Sequence, residues 1–271
     1  MAIDSSGPSA GSRTAASMRG YPACAKRLNR ILGLVSLGVL IPLTGCGSVT
    51  VFQSSFDSNA VGAAPSPNQA TGTVAVSGDP GSVVIVSAPP NATGNWTQIR
   101  RAAGPTVPIS VLQCDFSQPP QNGTYSLLAV LLIPSGSGLA TVEFDTSARA
   151  GPSSTGFLHV DFGDFPMGDG SVARNTIRIN DTTLPCPKAP NLCTFPRDRP
   201  FTISVNLQIG ASSASAHISL VGAGGLATGE TDISNITPLL LANQFGEVKF
   251  YMGFPWSGSF DVGNIIVTRR P

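Results

Sequence analysis

Two acidic residues, Glu143 and Asp145, come nearest in type and spacing to a hydrolytic site. They lie in the stretch from Leu139 to Asp145, where apolar and polar residues alternate. Alternation is typical of a half-buried strand, so both carboxylates should share one face of a sheet. Retaining hydrolysis of a glycosidic bond needs two catalytic carboxyl groups about 5 Å apart. The stretch is thus the sharpest candidate for enzymatic chemistry, and the interpretation that we favour is a solvent-facing polar edge on an antiparallel strand.

Three further acids, Asp161, Asp164 and Asp169, lie in a Gly-rich stretch. Ca²⁺ takes about 6–8 oxygen ligands, which such a turn could supply. Asp and Gly are also ordinary turn residues, however, and the spacing matches no calcium loop. We therefore expect no cofactor, with calcium at these three residues as the alternative.

The candidate ligand-binding residues are aromatic: Trp256, Tyr251 and Trp96. Trp256 stands in a turn, Phe254-Pro255-Trp256-Ser257-Gly258, before the last strand-like segment. A tryptophan offers an apolar face and an N–H donor, which suits a sugar ring. The alternative is that Trp256 caps one end of the core.

The N-terminal region has the pattern of an export signal. Lys26, Arg27 and Arg30 precede an apolar run, residues 31–41, that is too short for a membrane span of about 20 residues. We predict a signal peptide over residues 1–45, with translation starting at Met18.

The signal ends in Leu43-Thr44-Gly45-Cys46, which resembles the lipobox of bacterial lipoproteins. The resemblance implies that Cys46 takes a diacylglycerol, becomes the new N-terminus and is acylated, and two or three acyl chains anchor a protein stably to a membrane. Gly47, where retained lipoproteins carry Asp, implies the outer membrane. An ordinary signal peptide or an uncleaved anchor is the alternative.

The composition favours short strands joined by turns. Charged residues make up 11% of the 271 residues, and there are 30 Gly and 23 Pro. Beyond residue 45 the chain has 11 bases and 14 acids, a net charge near −3. The largest basic clusters there are the pairs Arg100-Arg101 and Arg269-Arg270, so the charge pattern argues against nucleic acid as a partner.

Three cysteines remain after signal removal and lipidation: Cys114, Cys186 and Cys193. Export permits disulfides. We favour a local bridge between Cys186 and Cys193 across a Pro-rich loop, which would leave Cys114 as a buried thiol. The competing pairing joins Cys114 to one of the others.

About ten short segments show strand patterns, and Phe201–Ile209 is the clearest, with Ala216–Val221 as its hairpin partner. A short helix is expected only around residues 238–243. Without helices to cover a parallel sheet, the pattern predicts an all-β antiparallel sandwich. We place a single domain over residues 50–271, after a lipidated N-terminus and linker or first strand at residues 46–70.

Three stretches together resemble concanavalin A-like (laminin-G-like) jelly rolls: Phe56–Pro65 at the opening, the predicted hairpin, and Gly258–Val267 at the exit. The resemblance implies that the first and last strands lie side by side. Such domains include lectins, glycan hydrolases, lyases and interaction modules, so function has to be argued from the site.

Some jelly-roll glucanases carry Glu-x-Asp-x-Glu on one strand, and Glu143 and Asp145 are similar to its first two acids. Ser147 stands where the second catalytic Glu belongs, so the resemblance implies no ordinary hydrolysis. We predict a lipid-anchored, extracytoplasmic, non-catalytic binding or envelope module, with glycan as the leading ligand. The alternatives are a polysaccharide-active enzyme of the glucanase type and a structural or protein-interaction lipoprotein.

Overall fold

The computed structural model describes residues 47–118, 121–146, 158–180, 182–183, 193–210, 214–222, 225–233, 245–253 and 255–271. All of them belong to the unit Leu37–Pro271. The predicted signal peptide, Cys46 and the predicted helix at residues 238–243 lie outside the described residues.

The described residues contain strands and turns, with no helix among them. The strands are β1 (Val49–Ser54), β2 (Thr73–Ser77), β3 (Val83–Ser87), β4 (Asn95–Arg101), β5 (Val111–Asp115), β6 (Gly123–Leu132), β7 (Ala140–Thr146), β8 (Leu158–Pro166), β9 (Val172–Ile179), β10 (Thr182–Thr183), β11 (Phe201–Ile209), β12 (Ala214–Gly222), β13 (Gly225–Ile233), β14 (Phe245–Met252) and β15 (Gly258–Arg270).

These strands form two antiparallel sheets. The eight-stranded sheet runs β13-β12-β11-β6-β15-β4-β3, with β1 also paired to β15, and the seven-stranded sheet runs β10-β9-β8-β7-β14-β5-β2. The all-β antiparallel sandwich expected from the alternating pattern is therefore confirmed.

One apolar core lies between the sheets. On β11, Phe201, Ile203, Val205, Leu207 and Ile209 are all buried, as the alternation predicts. Aromatic rings join the two layers directly. The rings of Tyr125 and Phe245 are 4.6 Å apart, and those of Phe162 and Phe201 are 5.7 Å apart. Aromatic pairs at such distances stabilise a core beyond their burial alone.

The pairing that the jelly-roll resemblance implies is present at both ends of the chain. β1 pairs with β15, from Val49 opposite Arg269 to Ser54 opposite Ile265. The predicted hairpin of β11 and β12 is also confirmed.

The strands β4, β5 and β13 were not predicted. In β4 the alternation is obscured because Trp96 and Thr97 are adjacent and both buried, and because the buried residue at its end is Arg101.

Candidate functional site

The polar side chains that could bind or react lie in two neighbouring regions of the seven-stranded sheet. One is the outer face, by which we mean the side of this sheet opposite the core, and the other is a pocket at one end of that face. On β7, Val142 and Phe144 belong to the core, so the alternation of the strand places Glu143 and Asp145 on the outer face. The predicted common face of the two carboxylates is confirmed.

The partners of these acids come from the neighbouring strand, β14. Lys249 pairs in register with Glu143, and Glu247 pairs with Asp145. The Lys249 Nζ lies 2.8 Å from Asp145 Oδ2 and 2.9 Å from Glu247 Oε1. Lys249 and Glu247 are 0% exposed and Asp145 is 1% exposed. The expected solvent-facing polar edge is therefore wrong, because both acids of β7 are buried and Asp145 forms a buried ion triad with Lys249 and Glu247.

Glu143 is the fourth member of this buried cluster and is also 0% exposed. The Tyr251 hydroxyl donates a hydrogen bond to Glu143 Oε2. Burial raises the pKa of Glu143 to about 7, against the lowering effects of Tyr251 and Lys249. Burial and the Glu143 carboxylate also raise the pKa of Tyr251, so its hydroxyl stays protonated and remains the donor.

Glu247 is the second acid whose ionisation is opposed by the fold. Burial raises the pKa of Glu247 to about 8. Although Lys249 stands close to it, neither oxygen of Glu247 makes an aligned hydrogen bond within the described structure. Burial disfavours the Lys249 cation, but the nearby carboxyl groups of Asp145 and Glu247 outweigh this and raise the pKa of Lys249. The cluster can therefore hold a proton on a carboxyl group at neutral pH, a property that acid–base chemistry uses.

The outer face continues across β8 and β9. Asp161 accepts hydrogen bonds from Thr141 Oγ1 at 2.8 Å and from Arg178 Nη2 at 3.2 Å. The Arg178 guanidinium also stacks over the Phe165 ring, 4.1 Å from its centre. These side chains bind one another through hydrogen bonds and stacking, as expected for residues with a structural role.

The three acids of the calcium alternative are not brought together. Asp161 is hydrogen-bonded to Thr141 and Arg178 on the outer face. Asp164 Oδ1 lies 3.5 Å from Arg197 Nη2. Asp169 accepts hydrogen bonds from Ser171 within its own turn. Among the residues that the structure describes, no group of three His, Cys, Asp or Glu is placed to hold a metal ion. Asp161, Asp164 and Asp169 therefore form no common calcium site.

The pocket begins where the outer face ends. Leu139 fills the end of the face, against the backbone of Gly163 and Gly253, and the residue before it, Gly138, lines the pocket. The pocket has a volume of about 470 Å³, within the roughly 300–1,000 Å³ typical of small-molecule sites. Its lining is mostly polar and comes from three loops and from the strands β8 and β9: Ser135, Gly136, Ser137, Gly138, Asp164, Arg174, Asn175, Arg197, Trp256 and Ser257.

Trp256 stands in this pocket and is 39% exposed. Its backbone is held on both sides: its N–H donates to Gly253 O at 3.0 Å, and Nη1 of the buried Arg101 donates to its carbonyl oxygen. Its side chain lies against Gly138, where any Cβ would come within 2.4 Å of the Trp256 Cβ. The lack of a side chain at Gly138 therefore makes room for the indole of Trp256.

Arg197 holds the opposite wall. Its Nη1 donates to the carbonyl oxygens of Pro134 at 3.1 Å and Ser137 at 2.9 Å, and its Nε donates to Asn175 Oδ1 at 2.6 Å. Charged hydrogen bonds of this kind are about twice as strong as neutral ones. Arg101 and Arg197 thus hold the pocket loops in place without a bound ligand.

Of the three predicted aromatic residues, Trp256 alone lines the pocket. Trp96 is 4% exposed, packs against Gly263 and donates from Nε1 to Thr93 O at 3.3 Å. The proposal of Trp96 as a ligand platform is wrong, because its ring is part of the packing around β15. Tyr251 is half-buried on the outer face, where its hydroxyl is engaged by Glu143.

Several residues of the site were not predicted. The alternation of Glu247, Lys249 and Tyr251 along β14 was readable in the sequence and could have placed all three on one face. Arg101 and Arg197 had no such signal, because they bind main-chain carbonyls far away in the sequence, 155 residues from Arg101 and 63 residues from Arg197.

The structure tests part of the predictions about the cysteines. Cys114 is a free, buried thiol whose pKa is raised by burial, so the pairing that used it is wrong. Cys193 is buried and disulfide-bonded. Cys186 and Cys46 lie outside the described residues, so the bridge between Cys186 and Cys193 and the lipidation of Cys46 stay predictions.

Within the described ranges, no helix has the length and apolarity to span a membrane.

Comparison with known proteins gives only structural likenesses. No protein-family model matches the chain, and no curated protein matches it. Among solved structures, a peanut lectin bound to a 9-residue peptide is 8% identical with a TM-score of 0.49, covering 82% of this chain and 97% of the lectin. A seed lectin of Lotus tetragonolobus is 9% identical with a TM-score of 0.49, covering 82% of this chain and 100% of the lectin.

The catalytic domain of a glycoside hydrolase family 131 protein from Coprinopsis cinerea is also similar. It is 12% identical with a TM-score of 0.45, and the match covers 80% of this chain and 93% of that domain. At such similarity nothing follows about a ligand or an activity of this chain, and its architecture is established by its own strand pairing.

Proposed function

We propose that this domain is a non-catalytic carbohydrate-binding module, tethered to the bacterial cell envelope by a lipid on Cys46. The observation that carries the binding proposal is an exposed indole, Trp256, in a preformed polar pocket. A sugar ring presents an apolar face for stacking and a rim of hydroxyls, and the pocket offers both an aromatic plane and the polar groups of Asp164, Asn175 and Ser257.

Pre-organisation supports the same proposal. Arg101 donates to the carbonyl oxygen of Trp256, and Arg197 donates to that of Ser137. A site whose loops are already ordered loses less conformational entropy when a ligand binds. These two arginines therefore favour a binding role for the loops over a purely connecting one.

Burial favours a module without catalysis. Glu143, Asp145 and Glu247 are the carboxyl groups that hydrolysis would use, and all three are at most 1% exposed. A general acid must come within hydrogen-bond reach of its substrate. The burial of all three carboxyl groups therefore supports the proposal of a module without catalysis.

The second candidate is a polysaccharide-active enzyme, and Glu247 is the observation that favours it. Glu247 lies diagonally across from Glu143 on neighbouring strands, on the same face of the sheet. Glycosidases use two carboxyl groups about 5–9.5 Å apart. In this candidate, Glu247 takes the place of the second Glu that is missing at Ser147.

Trp256→Ala tests the binding proposal. We expect the detergent-solubilised full chain to retain at least one class of oligosaccharide on a glycan array, and the variant to bind it at least about tenfold more weakly, a loss of about 1.4 kcal/mol. Gly138→Ala should weaken binding as well, because it displaces the indole. Val221→Ala, which trims an exposed apolar residue of the other sheet, is the matched control and should bind normally.

Two results would contradict the binding proposal: no oligosaccharide retained by the native chain, or equal binding by Trp256→Ala. Release of shorter sugars from a bound glycan, abolished by Glu143→Gln, would instead establish the enzyme.

The tether has its own test. Mass spectrometry of the native protein should find the chain beginning at Cys46, with a diacylglyceryl thiol and an acylated amine. Cys46→Ala should move the protein from the membrane fraction to the soluble fraction, since the acyl chains supply the membrane affinity. An unmodified Cys46 thiol in the membrane-bound protein would exclude this anchor.

A further inference from the structure

The pocket that holds Trp256 is charged as well as polar. Its lining includes two guanidinium groups, Arg174 and Arg197, and one carboxylate, Asp164. Asp198, just outside, is exposed and directs both carboxylate oxygens to Ser135. The lining itself therefore carries a net positive charge within a mature chain of net charge near −3.

The Asp164 carboxylate is already engaged. Its Oδ1 accepts the backbone N–H of Asn175 at 2.7 Å and lies 3.5 Å from Arg197. Arg197 is in turn committed to Pro134, Ser137 and Asn175. The charges of Asp164 and Arg197 offset each other, and the donors of Arg197 are already used within the wall.

Arg174 differs from Arg197 in this respect. Its side chain is 78% exposed, and its Nη1 lies 3.9 Å from Asp164 Oδ2, too far for a hydrogen bond. Within the described structure its guanidinium donates no hydrogen bond. One cation with unused donors thus lines the same pocket as the exposed indole of Trp256.

A guanidinium with free donors matches the planar or tetrahedral oxygens of an anion and can bind them through two hydrogen bonds. We propose that the pocket prefers an anionic sugar, one bearing a carboxylate or a sulfate ester, and that Arg174 binds the anionic group while Trp256 stacks on the ring. This inference rests on the proposed carbohydrate binding at Trp256.

Paired ligands that differ only in charge test the preference. The full chain is titrated with a galacturonic acid oligomer and its fully methyl-esterified form, and separately with a sulfated galactan oligosaccharide and its desulfated form. We expect at least one anionic member to bind at least tenfold more tightly than its neutral partner, and the difference to shrink as salt is raised. The two pairs distinguish a carboxylate from a sulfate.

Arg174→Gln should abolish the preference, so that the charged member of each pair binds no more tightly than its neutral partner. Arg270→Gln is the matched control, since it removes an equally exposed charge from the other end of β15, roughly 40 Å from Gly258 by strand length. This control should keep the preference.

The results separate this inference from the proposed function. Equal binding of charged and neutral partners, with both lost in Trp256→Ala, overturns the anionic preference alone. A preference that survives Arg174→Gln overturns the role of Arg174. Failure of every oligosaccharide to bind overturns the carbohydrate site and the inference together.

Discussion

Exchange of Lys249 for methionine is expected to lower the free energy of unfolding by about 3–5 kcal/mol at pH 8, the usual cost of removing one partner of a buried ion pair. Lys249 is 0% exposed and is the cation between Asp145 and Glu247. Methionine keeps much of the side-chain volume but leaves two carboxyl groups facing each other without a counter-charge. Urea denaturation of both proteins, compared through their midpoints, measures the loss.

Two further variants make this result specific. Arg270→Met removes an exposed cation and should change stability by less than about 0.5 kcal/mol. Lys249→Met combined with Asp145→Asn and Glu247→Gln should recover much of the lost stability, since the two carboxylates that paired with Lys249 then carry no charge. A Lys249→Met protein as stable as the native chain would show that the ion triad contributes nothing to the fold.

Stability of the native chain should fall as the pH rises from 5 to 9, by about 3 kcal/mol or more. In the unfolded chain the Glu143 and Glu247 carboxyls ionise near pH 4.5, whereas in the fold their pKa values are about 7 and about 8. The folded state therefore binds more protons between these limits. The stabilisation is complete below pH 4.5 and is lost as the pH passes through 7 and 8, and each pH unit costs about 1.4 kcal/mol per bound proton.

Other groups with shifted pKa values do not reverse this trend. The raised pKa of Lys249 makes the stability depend on pH only above the ordinary Lys pKa of 10.5. The lowered pKa values of Asp169 and Asp198 make the stability depend on pH only below the ordinary Asp pKa of 3.8. Denaturation midpoints at pH 5, 7 and 9 test the slope, and Glu143→Gln with Glu247→Gln should flatten it. A native midpoint that stays level or increases over this range would contradict the assignment of protons to the two Glu.

Much of the sheet architecture was predictable because alternation is a local property. Phe201–Ile209 was predicted with the bounds that β11 has, and the common face of Glu143 and Asp145 followed from the same period of two. The burial of that face was not predictable, since alternating acids read equally well as a solvated surface. The counter-charge that makes their burial possible, Lys249, comes from a strand more than 100 residues away.

The pocket was predictable only at Trp256, an aromatic residue in a Pro- and Gly-containing turn. Trp96 carries the same side chain, but it occupies a strand, where packing against Gly263 buries it. The sequence holds no local sign that Gly138 makes room for the indole, or that Arg101 and Arg197 hold the loops. Those roles arise from tertiary contacts, which are not encoded by neighbouring residues.

The pairing of β1 with β15 also sets the direction in which the pocket would face on a cell. Val49 lies opposite Arg269, at the far end of β15 from Gly258, and Gly258 adjoins Ser137 of the pocket wall. Only two residues lie between Cys46 and Val49, so the reach is at most about 11 Å. A lipid on Cys46 would hold the Arg269 end of the sandwich close to the bilayer and point the pocket away from it, with a stand-off of roughly 40 Å along β15.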